Sequence, residues 1–366
     1  MRVIVIGTGV VGAAAGYELA RSGVDTVLVD AVREGRATSA GAGIICPWSS
    51  RMTDPDYYRM AVAGAEHYPG LLETLAEDGE TEVGHRRVGA LRLLFPEEAE
   101  SVHSSVTARA AASAPAGEVS LIDGAEAAAL FPPLRHEGPV LHVTGGARLD
   151  GRLLREALRR GAVRHGARLV EAEARIEAGG ERVRAVHADG ERLAADAVID
   201  AAGAWSAGLL EPLGVRLPVA PQRGQLVHLR LPGTDTSRWP VLLPPTSHYL
   251  LAFDDSRVVV GATREEGSGF DHRVTAAGLA EVLNEALAVA PGLAGATHLE
   301  TRVGFRPTGP DPLPLLGTVP GLRGLVIANG LGSSGLTMGP YAGSLAARLA
   351  LGAEPGMDLR AYDPLR

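Results

Sequence analysis

The sequence predicts an α/β protein made of two interleaved lobes, and three observations carry that reading. An apolar strand, a glycine turn, an amphipathic helix and a second apolar strand follow one another within the first 30 residues. Another apolar strand, Ala197 to Ala201, runs into a glycine turn at Gly203. Late in the chain the strand GLVIANG leads through the small-residue loop LGSSG into a final helix from about Leu336 to Leu351. One lobe would therefore be visited at the start, middle and end of the chain, with the remaining segments forming a sheet that roofs it.

The opening unit is the most informative. Arg2 to Ile6 is the first strand, and the helical pattern after it ends near Gly23. A glycine at position 7 permits a tight turn, at 9 lets backbone approach a pyrophosphate, and at 12 allows close helix-to-strand contact. Val10 and Val11 then start a helix whose N-terminus faces the phosphates. Asp30 closes the second strand, where a carboxylate can accept hydrogen bonds from a ribose hydroxyl pair, and Ala31 follows it. A dinucleotide site is expected; the plain alternative is a glycine turn that only packs.

Residues 35–51, GRATSAGAGIICPWSSR, are too rich in Gly, Ala and Ser for an ordinary core helix, and would let backbone lie against a flat ligand. Residues 52–130 read as largely helical, with a strand at Gly89 to Phe95, and 106–118 as a surface loop. Helical spacing returns from Asp150 to Arg164, followed by short strands separated by G-G and D-G turns. Residues 219–264 again read as strands and 275–290 as a helix.

Composition narrows the function. A formal charge of -8 with scattered basic residues gives no footprint for nucleic acid or anionic lipid. Cys46 is the single cysteine, so intrachain disulfides and cysteine zinc sites are excluded, which fits a reducing compartment. No apolar run reaches the ~18 residues of a membrane span, and a strand starting at Arg2 leaves no room for a signal peptide, so a cytoplasmic location is expected. All 35 basic residues other than histidine are arginine. Without lysine there is no Schiff base and no Walker-type phosphate loop.

Seven stretches in order, VIGTGVVGAAAGYELARSG with Asp30, TSAGAGII, ADAVIDAAGAWS, PQRGQLV, RVVVGAT, VGFRPTGPDPLPLLG and NGLGSSGLTMGP, make the chain resemble the D-amino-acid oxidase superfamily of FAD-dependent amine oxidoreductases. The likeness spans nearly the whole chain and is greatest to the glycine oxidase and sarcosine oxidase branch. It implies a Rossmann-like FAD-binding domain from residues 1–85, 145–218 and 299–366, and an interleaved antiparallel-sheet substrate domain from 86–144 and 219–298. FAD rather than NAD is the implied cofactor. Its ADP part would lie over Gly7, Gly9 and Gly12 with the ribose on Asp30, and Ser39, Ala40, Gly41, Ala42, Gly43 and Ile44 would line the pyrophosphate and the isoalloxazine edge. Ala174 would meet the adenine region, and Ala202 and Gly203 would cover the nucleotide; Trp205 and Gly304 are counted with them. Gly332, Ser333, Ser334, Gly335, Leu336 and Thr337 would bring N–H groups and a helix N-terminus to the flavin carbonyl that gains charge on reduction.

For the substrate, the resemblance implies that Arg306 of the G-x-R-P motif forks onto a carboxylate, helped by Tyr249 of HYLLAF. An ion pair with Asp311 is the alternative for Arg306, and a plain core aromatic the alternative for Tyr249. Arg264 and Arg302 lie near these motifs and are given no role. The implied reaction is oxidation of a small or N-substituted amino acid, with hydride passing from the α carbon of a neutral amine to flavin N5. Imine hydrolysis would give a 2-oxo acid and an amine or ammonia, and O2 would take the electrons to form H2O2. A D-amino-acid or hydroxyproline dehydrogenase with another acceptor, and a noncatalytic flavin-binding sensor or subunit, are the rivals.

Two departures from the family follow. Without lysine, and with cysteine only at 46, the chain lacks the oxygen-activating lysine and the late flavin-tethering cysteine of sarcosine oxidases, so noncovalent FAD is expected. Leu331 and Ser333 stand where glycine oxidases carry basic and imidazole groups, which suggests a wider entrance and a substrate bulkier than glycine. No general base is assigned, and a homo-oligomer is left open.

Overall fold

The computed structural model describes residues 1–366. Its first sheet has the order Leu315–Thr318, Leu325–Asn329, Ala197–Asp200, Arg2–Ile6, Asp25–Val29, Arg168–Val170, all parallel except the outermost Leu315–Thr318. Val3, Val5 and Leu28 pack to one side of it, and Ile4, Val27 and Val29 to the other. That is why these strands are continuous apolar runs without alternation.

The helices Val10–Arg21, Gly151–Arg164 and Gly335–Ala350 cover one face. Small residues set how close they come. A Cβ on Gly343 would stand 2.4 Å from the Val11 carbonyl oxygen, and one on Gly12 would stand 1.9 Å from that of Gly7. Aspartates start three of the helices: Asp150 accepts from the Arg152 and Leu153 amides, Asp54 from the Asp56 and Tyr57 amides ahead of Pro55–Glu77, and Asp123 from the Glu126 amide ahead of Gly124–Leu130.

The second sheet has eight strands in the order Thr297–Thr308, Ala220–Arg230, Arg257–Gly261, Tyr249–Ala252, Val241–Leu243, Ala90–Leu93, Val140–Val143, Val119–Ile122. Its pairings are antiparallel save one: Val241–Leu243 runs parallel to Ala90–Leu93, where the two sequence segments of this lobe meet. The helix Ala276–Val289 covers its outer side with Val282 and Ala286 buried. The expected boundary at 299 falls inside the long strand Thr297–Thr308, whose whole length pairs with Ala220–Arg230, so the first lobe resumes in its sheet at Leu315.

Of residues 106–118, expected as a surface loop, only 111–118 form one; 106–110 belong to a helix. The helix Ala99–Ala110 runs into the stretch, and Val106, Ala110 and Ala116 are buried. The helix turns Val102, His103 and Val106 inward and leaves Ser104, Ser105 and Ala108 exposed. No helix is long and apolar enough to cross a membrane.

Candidate active site

One cavity of about 1350 Å3 runs between the two sheets, with the ends of the central parallel strands at one end and the strands Tyr249–Ala252 and Thr297–Thr308 at the other. At the parallel sheet, Gly7 takes φ +88°, and a Cβ there would stand 2.4 Å from the Ala201 carbonyl oxygen. The backbone of two adjacent strand ends therefore forms a floor that no side chain fills. Val10–Arg21 and Gly335–Ala350 both start on this cavity, with no side-chain cap from Gly9 or Ser334 and no acid in either first turn. The Val10 amide is met by Thr38 Oγ1 at 3.0 Å. Two positive helix ends thus face one space, an arrangement suited to negative charge.

Asp30 is buried beside that floor and heavily hydrogen-bonded. Its Oδ2 accepts from the Thr8 hydroxyl and amide and from Arg155 Nη2 at 3.0 Å, and its Oδ1 from the Val32 amide at 2.9 Å. Burial alone would raise its pKa, but these donors together with Arg155 and Arg36 bring it below the usual carboxylate value. Arg155, itself buried, also donates to the Thr8 carbonyl at 2.6 Å. Asp30 keeps acceptor capacity on Oδ1, the oxygen with a single partner. Behind the next turn, Ser206 Oγ donates to Asp200 at 2.7 Å and accepts from Asn329 Nδ2, which fixes the Ala202–Trp205 stretch against the sheet.

At the opposite end Arg306 lies half-buried across Gly224. A Cβ on Gly224 would stand 2.6 Å from the guanidinium. Arg306 Nη1 donates to the Thr263 carbonyl at 3.0 Å and to Gln222 Oε1 at 3.3 Å, the guanidinium also meets the Tyr249 hydroxyl, and no carboxylate pairs with it. Glu265, the nearest acid, is turned away: its Oε2 is held by Arg223 at 2.6 Å, and its Oε1 by Gln225 and Thr263 at 2.7 Å each. Tyr249 stands beside Arg306, and burial raises its pKa, so it is a neutral hydroxyl at any ordinary pH. A cation without a carboxylate partner, set beside a hydroxyl, has the chemistry to receive a carboxylate.

The family model for DAO, the FAD-dependent oxidoreductases, matches residues 2–349. The chain belongs to this family. It is similar in structure to iminodiacetate oxidase from Chelativorans sp. BNC1, with TM-score 0.96 and 49% identity over 99% of both chains. It is similar to glycine oxidase from Geobacillus kaustophilus, with TM-score 0.89 and 28% identity, covering 100% of this chain and 99% of the other. In sequence it is 42% identical to the uncharacterised oxidoreductase YurR of Bacillus subtilis, over 99% of this chain and 98% of that protein. This DAO-family member is accordingly an FAD-dependent enzyme with the α/β fold expected.

Every residue given a cofactor or substrate role in the sequence lines the cavity except Gly12 and Ser39. Gly12 sits behind the turn, where its role is the close contact with Gly7. The Ser39 backbone carbonyl accepts from Arg152 Nε at 2.9 Å, away from the cavity. The ion pair between Arg306 and Asp311 does not form, because Asp311 pairs with Arg366 at 2.6 Å. Arg302 is taken by Glu300 and does not line the cavity, whereas Arg264 does. Trp205 stacks on Phe270 at 5.0 Å, with Arg33 5.6 Å from its ring.

The sequence reading missed Thr8, Thr38 and Arg155 around Asp30, and Tyr57, whose hydroxyl meets Ser334 Oγ at 2.5 Å. It also passed over Gly224. The glycine in PQRGQLV was visible, but its partner, Arg306, is supplied by another strand.

Proposed function

We propose that the enzyme oxidises the bond between Cα and nitrogen in a small amino acid, with an N-substituted glycine favoured over glycine, and passes the electrons to O2. The carrying observation is Arg306: a guanidinium laid over Gly224 and against the Tyr249 hydroxyl, with no carboxylate within salt-bridge reach. The likeness to iminodiacetate oxidase supports the preference for a secondary amine.

In this reading Gly7, Gly9 and the two helix N-termini hold the cofactor's phosphates and carbonyl edge, Asp30 Oδ1 takes a ribose hydroxyl, and Ala174 and Trp205 line the adenine end. Bound FAD supplies a two-electron acceptor. Arg306 and Tyr249 fix the acid end of the substrate so that only one Cα–H direction is presented, which converts binding into orientation. The two sheets and the Gly332–Ser334 turn enclose the space, and exclusion of water strengthens each charged contact within it. With no lysine and with its one cysteine at 46, the protein holds FAD without a covalent link.

The test is anaerobic bleaching of the purified yellow enzyme by sarcosine, N-(carboxymethyl)glycine and glycine, followed by peroxide release in air. Arg306→Leu should lower kcat/KM about 30- to 1,000-fold, the loss of about 2–4 kcal/mol typical of an unpaired buried carboxylate contact. Flavin that stays yellow with every amino acid would sink the reading, and bleaching without peroxide would replace O2 by another acceptor.

A further inference from the structure

Beyond the substrate end the cavity adjoins a second hollow of about 600 Å3, and Ser50, Arg51 and Arg92 line both spaces. Arg109 completes its wall. These three guanidiniums come from separate segments: the loop after Pro47–Ser49, the strand Ala90–Leu93 and the helix Ala99–Ala110. All their hydrogen bonds go to backbone carbonyls, and Arg109 also lies 5.4 Å from the Tyr58 ring centre. Arg51 donates to Thr246 and Pro244, Arg92 to Ser49 at 3.1 Å, and Arg109 to Ser50 at 3.2 Å and Met52 at 3.4 Å. None forms an ion pair. Glu98 is the one carboxylate lining the hollow, and its Oε1 accepts from the Phe95 amide. Three cations against one anion leave the hollow with two positive charges.

Arg92 makes the case sharpest. It is buried, yet of the five N–H donors of a guanidinium it uses one, and its Nε meets no acceptor. Buried donors without partners are costly, and a buried cation ordinarily has a carboxylate. Burial lowers the pKa of Arg92, Arg51 and Arg109 add to that, and Glu98 opposes it without forming an ion pair.

Position ties this hollow to the carboxylate clamp. Arg92 stands opposite Leu243, and Leu242 opposite Leu250, which sets Leu243 opposite Tyr249. Residues opposite one another across neighbouring strands project from the same face, and all three line the main cavity. Two strand spacings place the Arg92 backbone about 10 Å from that of Tyr249, well within reach of a long side chain leaning toward a small substrate.

We propose that Arg51, Arg92 and Arg109 form an anion subsite that receives a second acidic group borne on the substrate nitrogen, so that dianionic secondary amines, the N-carboxymethyl amino acids, are the preferred substrate class. This rests on Arg306 holding the first carboxylate. Carbonyl stapling of the 47–52 loop by the same arginines leaves most of the donors of Arg92 unused and does not account for three unpaired charges in one hollow.

The test uses matched pairs on the holoenzyme. N-(carboxymethyl)glycine and N-ethylglycine differ by one carboxylate. The wild type should favour the first at least tenfold in kcat/KM, and Arg92→Gln or Arg51→Gln should erase that ratio, mainly through KM, with Arg92→Lys restoring part of it. Diglycolate and methoxyacetate, which carry oxygen in place of the amine and cannot be oxidised, are titrated in parallel by the change in flavin absorbance. Diglycolate should bind at least tenfold tighter, and the glutamine variants should abolish the gap. No gap in the wild type, or a gap untouched in both variants, overturns the subsite. Equal losses for both members of a pair, or equal strengthening of both by inorganic phosphate, would assign the hollow to a separate anion and overturn it too. Should no amine bleach the flavin while diglycolate still discriminates, the proposed reaction fails and the subsite stands.

Discussion

The two ends of the cavity are built on opposite principles. At the parallel sheet the binding surface is backbone: a bare floor at Gly7, two helix starts, and a carboxylate whose neighbours already satisfy most of it. At the other end it is side-chain charge held open, with Arg306, Arg51 and Arg92 lacking any acidic partner. A site for a permanent cofactor can be finished by the protein itself. A site for a transient substrate keeps its charges uncompensated, since an internal partner would have to be displaced in every cycle.

The largest effect should come from undoing the self-sufficiency of the first end. Arg155→Met removes the nearer of two guanidiniums at the buried Asp30, leaving Arg36 at 3.8 Å, so the cost should fall at the low end of the about 3–5 kcal/mol for breaking a buried pair. Denaturant unfolding of the apoprotein measures this, and the variant should also purify with little FAD. The lowered folded pKa of Asp30 means that its contribution is present above the usual carboxylate value and is lost as acid protonates it. The penalty of Arg155→Met should therefore shrink toward pH 3. A variant as stable as wild type would break the contrast between the two ends.

Asp200 gives an effect of the opposite sign. Complete burial pushes its pKa up to about 6, against the pull of the Ala202 amide and the Ser206 hydroxyl. A raised folded pKa contributes stability below the unfolded value that disappears as pH climbs through about 6. Asp200→Asn removes this titration, so between pH 4 and 7 the variant should gain about 2–3 kcal/mol relative to wild type in parallel unfolding curves. A constant difference across that range would show the carboxylate to be better solvated than its burial implies.

The smallest effect sharpens the comparison most. Gly224→Ala places a methyl where the Arg306 guanidinium lies, and a flexible side-chain end can move aside at little cost in stability. Thermal unfolding should change little, while KM rises about tenfold, about 1.4 kcal/mol, because Arg306 is displaced from its carboxylate position. An alanine variant with normal KM would mean that the guanidinium can act from elsewhere.

The sequence made the first end readable because its logic is local. Gly7, Gly9 and Asp30 fall within one strand–helix–strand unit, and the turns at Gly203 and Gly332 repeat the pattern. Around them the partners are remote: Arg155 reaches Asp30 from a helix 125 positions later. At the substrate end Arg306 was marked by its motif, but Arg51, Arg92 and Arg109 look like any surface arginines until the fold joins their three segments. The parallel contact between Val241–Leu243 and Ala90–Leu93 was likewise hidden, since no hairpin turn announces it. The helical character of residues 106–110 was concealed because they run straight into the Ala-rich segment 110–116, which does read as a loop.

The order of the six-stranded sheet bears on how the protein is made. Arg2–Ile6 leaves the ribosome first, yet its neighbour Ala197–Asp200 and the next strand, Leu325–Asn329, arrive almost two hundred and more than three hundred residues later. Such long-range pairing is slow to form, and it leaves the nascent amino-terminal strands with exposed edges for most of translation. The Gly7 turn and Asp30 therefore lack their later partners, the Ala201 floor and the start of Gly335–Ala350, until those residues have been made.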